Sequence, residues 1–292
     1  MNAHVVRSGM LAAAALCLLT PTFASSPQGQ QKTALVTVVA EASGPMRDLT
    51  AKDFIVTEDG QKREVVSAAL AEEPLSIALL VDSTQPQPGA MPPTQDLRNA
   101  LAAFVKAVQS QSPGAQIALS EFGGASVPRV PFGGKPGDLE AAIGRLYPNQ
   151  QVHAVLLEAL VDAGKLLAGQ PAPRRAIVSV DFNSREGSAE RSMKAAAEAV
   201  HNAGATLWTV SVRGSVVSTP IREEVLNKII QANGGLRLMP VDASGLEANL
   251  KIIAHSLASQ YTVSFMRTGG NPKTTTFETT RGAKVQKTPW MR

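Results

Sequence analysis

Seven residues, Leu75-Ser76-Ile77-Ala78-Leu79-Leu80-Val81, run almost without a polar break between Pro74 and Asp82, and Pro86 follows soon after. A short aliphatic run fenced by prolines reads as a strand buried on both faces, and that demands a sheet with helices above and below it. Asp82, Ser83, Thr84 and Gln85 then fall where the strand gives way to its loop, which is where open α/β sheets bind ligands.

The rest of the chain repeats this alternation. Further strands are expected at 115–122, 175–181, 205–212 and 236–240, and helices at 94–111, 137–146, 153–168, 188–203, 220–233 and 244–259. Strands alternating with helices specify a mostly parallel sheet with helices on both faces. Thr94 and Ser188 stand at N-cap positions, Pro220 in a first turn, and Gly204 and Gly234 just past helix ends. The two ends read differently. Residues 34–42, 54–58 and 62–70 are β-rich, with Asp59-Gly60 suited to the positive φ angles of a type I′ turn, and β character returns at 261–266 and 274–287. Neither end has enough strands to bury an apolar face alone, so the two are expected to meet in one small β module.

At 292 residues, 44% of them hydrophobic, the chain can bury a sizeable core. Arg7, the apolar block 10–19, Pro21 and Thr22-Phe23-Ala24 form the three parts of a secretory signal, so residues 1–24 are expected to be removed on export to a periplasm or the exterior. The alternative is an N-terminal anchor, but that block is far shorter than the ~20 residues a spanning helix needs, and no span is expected after cleavage. Cys17, the one cysteine, lies inside the signal, which leaves the exported chain without thiol chemistry. The formal net charge of +4 is small and evenly spread, which argues against nucleic acid as a partner. The expected layout is signal 1–24, β segment 25–73, α/β domain 74–259 and β segment 260–292.

Four pieces then carry a family resemblance: Leu49-Thr50-Ala51-Lys52-Asp53-Phe54-Ile55-Val56-Thr57-Glu58-Asp59-Gly60, the run from Pro74 to Ser83, Asn233-Gly234-Gly235 and Ala258-Ser259-Gln260-Tyr261. In this order and spacing the chain resembles the bacterial VWFA-related family first described from Acidobacteria, over nearly all of the sequence after the signal. The resemblance implies a Rossmann-like von Willebrand factor A-type domain. It also implies a metal-ion-dependent adhesion site, in which Mg²⁺ is held by hydroxyls of a first loop, a threonine of a second and carboxylates, because Mg²⁺ takes oxygen ligands in octahedral geometry. Against that pattern Asp82 and Thr84 match, Ser83 points the wrong way in the alternation and Pro86 replaces a hydroxyl. Ala154 stands at the threonine, and Phe182 at the third-loop aspartate unless Asp181 takes its place by a one-residue shift. The expectation is a degenerate site with no metal and no cofactor. A divalent-cation-dependent adhesin using Asp82, Thr84 and Asp181 is the alternative.

Enzyme chemistry has little to stand on. His153, His201 and His255 show no metal-ligand spacing, and Ser120 and the paired glycines 123–124 and 133–134 fit neither a nucleophile elbow nor a dinucleotide loop. The function expected is an exported, non-enzymatic module for protein interaction or adhesion, binding a protein or a cell-envelope component; an uncharacterised hydrolase ranks third. The binding surface is expected at the carboxyl rim of the sheet, with Asp82, Thr84, Gln85, Phe122, Asn149, Asp181, Phe182, Asn183 and Arg185 as candidates and Phe122 and Phe182 as an apolar patch.

Overall fold

The computed structural model describes residues 29–40, 44–85, 91–135, 137–213 and 219–291. The expected signal, 1–24, lies outside them. No described helix is long and apolar enough to cross a membrane.

The aliphatic run is the middle of the molecule. It forms β5 (Leu75–Asp82), every residue of which is buried. On one side of it stand β8 (Arg174–Asp181), β9 (Thr206–Ser211) and β10 (Gly235–Leu238), all parallel; on the other, β6 (Gln116–Phe122) is parallel and the edge strand β7 (Ser126–Val130) antiparallel. Alternation sends Leu75, Ile77, Leu79 and Val81 to the face covered by α1 (Thr94–Gln111) and α6 (Leu246–Ala258). Ala78 and Leu80 face α3 (Leu156–Ala168), α4 (Glu190–Asn202) and α5 (Pro220–Asn233). α2 (Asp138–Arg145) lies beside β7 at the sheet edge.

Four local expectations need correction. Thr94 does not cap α1 but is its first residue, with Pro93 at the N-cap position and no side-chain cap hydrogen bond. β7 was not expected, because Pro128 interrupts its pattern and is tolerated only on an edge strand. α3 begins at Leu156 rather than at 153, since Ala154 is extended: its N–H donates to the Arg185 carbonyl at 2.9 Å and its carbonyl accepts from Gly187 at 2.7 Å. Ser188 does not cap α4; its hydroxyl accepts from the Glu158 N–H at 3.1 Å, capping α3 across the loop, while the Glu158 carboxylate accepts from Ala189 at 3.0 Å.

The ends of the chain meet as expected. β1 (Gln30–Val38) pairs antiparallel with β11 (Gln260–Arg267), flanked by β13 (Val285–Met291) and β4 (Val65–Leu70), in a four-stranded sheet. A second sheet joins β12 (Thr275–Thr279), β2 (Phe54–Glu58) and β3 (Gln61–Arg63). The turn from β2 to β3 has φ of 48° at Asp59 and 80° at Gly60, as a type I′ turn requires. The sheets share a core of Val36, Val56, Val263 and two aromatic pairs: Phe54 with Tyr261, centroids 5.3 Å apart, and Phe265 with Phe277, 5.8 Å apart. Glu58, fully buried on β2, is bracketed by Arg63 at 3.1 Å and Arg267 at 2.7 Å, so its charge joins the two sheets.

Arg174 couples this β module to the α/β domain. It is 4% exposed and donates to the carbonyls of Ala71, Glu73 and Leu257 at 2.8–3.0 Å and to the Gln260 side chain at 2.8 Å. Those acceptors lie on the link into β5, at the end of α6 and at the start of β11. Burial lowers the guanidinium pKa to about 10, which leaves it charged at neutral pH. Arg174→Met keeps the volume but leaves four acceptors without their donor, so urea denaturation should show a loss of at least about 3 kcal/mol. An unchanged midpoint would mean the clamp contributes nothing.

Candidate functional site

The carboxyl ends of β5, β6, β8 and β9 converge on one polar cluster. Asp82, 1% exposed, ends β5; its Oδ1 accepts from the Thr84 N–H at 2.8 Å and its Oδ2 from the Phe182 N–H at 3.1 Å, which ties the β5 loop to the β8 loop. The Thr84 hydroxyl lies 2.5 Å from the Ser184 hydroxyl. Ser83 is turned away, its hydroxyl donating to the Phe122 carbonyl at 3.2 Å. Asp181, fully buried, accepts from the Asn183 N–H at 2.9 Å and from the Ser211 hydroxyl at 2.7 Å, binding β8 to β9.

A buried guanidinium closes the cluster. Arg222, on the first turn of α5, has no solvent exposure; one amino group donates to the Ser184 carbonyl at 2.9 Å and the other to the Asn183 side-chain oxygen. Its Nε lies 3.6 Å from Glu223, which in turn pairs with Arg237. Asn183 sits at φ 57°, in the left-handed region, which asparagine is among the few residues to tolerate. Glu186 is 7% exposed and accepts from the Ser188 N–H at 3.1 Å. The reading of the sequence did not single out Arg222, Ser211 or Glu186. For Arg222 a signal existed: with Leu226, Ile229 and Asn233 it lies on the buried stripe of α5, where an arginine needs a partner.

The expected rim residues divide into two groups. Asp82, Thr84, Asp181 and Asn183 are brought together but buried, so they shape the loops from beneath. Asn149 and Arg185 are exposed and Gln85 is partly so, its N–H donating to the Gln150 carbonyl at 2.9 Å. The expected apolar patch of Phe122 and Phe182 is absent. Phe122 is fully buried on the α3 face of the sheet, and Phe182, 2% exposed, continues the inward row of Val178 and Val180 on the α1 face.

Burial raises the Asp82 pKa to about 7; the Asp181 charge adds to this, and hydrogen bonds from Thr84 and the Phe182 amide work against it. Burial raises Glu186 as well, with Arg222 opposing. Between the ordinary carboxylate range and about pH 7 the native state therefore holds protons that the unfolded chain has released. Stability should fall as pH rises through that window and level off above it. Denaturant midpoints at about pH 5 and about pH 8 measure the slope, which Asp82→Asn should largely remove. A stability that rises over the same window would contradict the assignment.

No family model matches this sequence, and no curated protein matches it. Solved structures do match the fold. A von Willebrand factor type A protein from Catenulispora acidiphila is similar with a TM-score of 0.52 at 11% identity, covering 91% of this chain and 74% of that one. Proximal thread matrix protein 1 from the mussel byssus gives 0.51 at 12%, covering 73% of this chain and 50% of that one. The PilB minor pilin from Streptococcus sanguinis gives 0.50 at 13%, covering 65% and 62%. At such identities the likeness speaks for the fold alone. The chain has an α/β, Rossmann-like von Willebrand A-type fold, a mostly parallel central sheet with helices on both faces, joined to a small β module built from its two ends.

Proposed function

We propose that this protein is an exported member of the VWFA-related bacterial family, a non-enzymatic interaction module whose adhesion site works without a metal ion. One observation carries the reading: the Arg222 guanidinium lies beneath the loops that a bound cation organises in domains of this resemblance, donating to Asn183 and Ser184. The residues present do not suit Mg²⁺. Both Asp82 oxygens accept backbone N–H groups, the Thr84 hydroxyl is engaged with Ser184, Ala154 offers no ligand and the Phe182 side chain is in the core. Water can complete the octahedron of Mg²⁺, but the protein oxygens that would have to face the ion, those of Asp82 and Thr84, are already engaged with neighbouring groups.

A partner would then meet the exposed crown of these loops, Gln85, Asn149 and Arg185, held by the buried polar cluster below. Rigid loops with solvent-facing polar groups suit recognition of a protein or an envelope component. Export, with loss of residues 1–24, places that partner in the periplasm or outside the cell.

The test is capture of partners from the producing cell's own envelope by the purified protein, with and without EDTA. Capture should survive EDTA and drop at least about tenfold in Arg185→Glu combined with Asn149→Ala, both exposed positions, with the melting temperature within about 2 °C of wild type. Capture abolished by EDTA would hand the function to a cation-dependent adhesin using Asp82, Thr84 and Asp181. Capture indifferent to the double substitution would place the partner elsewhere.

A further inference from the structure

α4 and α5 lie side by side on one face of the large sheet. Each returns the chain between parallel neighbours, α4 from β8 to β9 and α5 from β9 to β10, so both run against the strands and parallel to each other. The groove between them, about 310 Å³, is lined by Met193 and Ala197 of α4 and Ile221 and Val225 of α5. Ile221 is 50% exposed at one end of it, a projecting aliphatic side chain beside an apolar hollow.

The charges on its rims are ordered. Toward the N-terminal end stand Glu190 and Glu224; one turn later on each helix come Lys194 and Lys228. Glu190 and Lys194 pair within their helix at 3.3 Å. Glu224 and Lys228 are exposed and form no ion pair among the described residues.

We propose that this groove is a self-association surface that seats a second copy of the chain about a two-fold axis lying in the interface, perpendicular to the two helices and level with Val225. Such an axis turns the partner's helices antiparallel, so the acidic end of each groove meets the basic end of the other and Glu224 and Lys228 each gain an opposite charge. The same operation carries each Ile221 toward the hollow of its partner. A heterologous partner need not match this pattern, whereas a second copy matches it by symmetry. The eight residues that line the groove are few beside the about 20–30 a side of a standard interface, so the dimer is weak, with Kd on the order of 10–100 μM. The inference stands apart from the proposed rim and does not depend on it.

Sedimentation equilibrium of the purified protein, from about 1 μM to about 500 μM, decides it. A monomer–dimer equilibrium is expected. Ile221→Glu should raise Kd at least about tenfold at an unchanged melting temperature, since it buries a charge against the partner. Lys228→Glu should weaken the dimer by apposing like charges, and adding Glu224→Lys should restore it, because exchanging the two signs rebuilds both pairs. A monomer at every concentration overturns the proposal, as does a dimer that Ile221→Glu leaves intact. Failure of the charge exchange to restore what Lys228→Glu lost overturns the two-fold register.

Discussion

A guanidinium taken wholly out of water is tolerated only where nearby acceptors offset its lost hydration, and Arg222, at the junction of α5 with the loop after β8, is met by Ser184, Asn183 and Glu223. Its contacts with Asn183 and Ser184 continue through the Ser184–Thr84 hydroxyl pair to Asp82, and from Asp82 back to the Phe182 amide. Asp181 and Ser211 extend the same network to β9. One cation fixed to α5 thus holds the ends of three strands in a single arrangement. A dissociable ion placed there would make the arrangement conditional on its concentration; an arginine makes it permanent.

Buried charge is used in the same way elsewhere. Arg174 joins the link into β5, the end of α6 and the start of β11, and Glu58 bridges the two sheets through Arg63 and Arg267. The apolar cores on the two faces of the large sheet and within the β module supply the general stability. The buried ions fix how those parts meet, because a misplaced partner leaves a charge desolvated and unpaired.

How much of this could be read beforehand depended on period and on locality. β5 was legible because its residues are nearly all aliphatic and its ends are marked by proline and aspartate. The meeting of the two ends followed from a count of strands, since neither half could close a core alone. The β7 edge was hidden by Pro128, and the start of α3 by the apolar run Val155-Leu156-Leu157, which does not reveal that Ala154 before it is bridged to Glu186. Phe182 was assigned to the surface although Val178 and Val180 already placed its parity inward. The contacts of Arg222 were beyond reach, because its acceptors lie 38 and 39 residues away in sequence.

The claim that a resident guanidinium replaces a bound metal is tested most directly by thermal melting in a chelated buffer and then with Mg²⁺ or Mn²⁺ added to millimolar levels. A cation that binds only the native state raises stability as RT ln(1 + [L]/Kd), so a site with Kd of about 10 μM would add about 2.7 kcal/mol at about 1 mM, several degrees in melting temperature. The account predicts a flat curve for the wild type. A clear rise in melting temperature that disappears in Asp82→Ala would contradict it and show that these loops hold a metal ion after all.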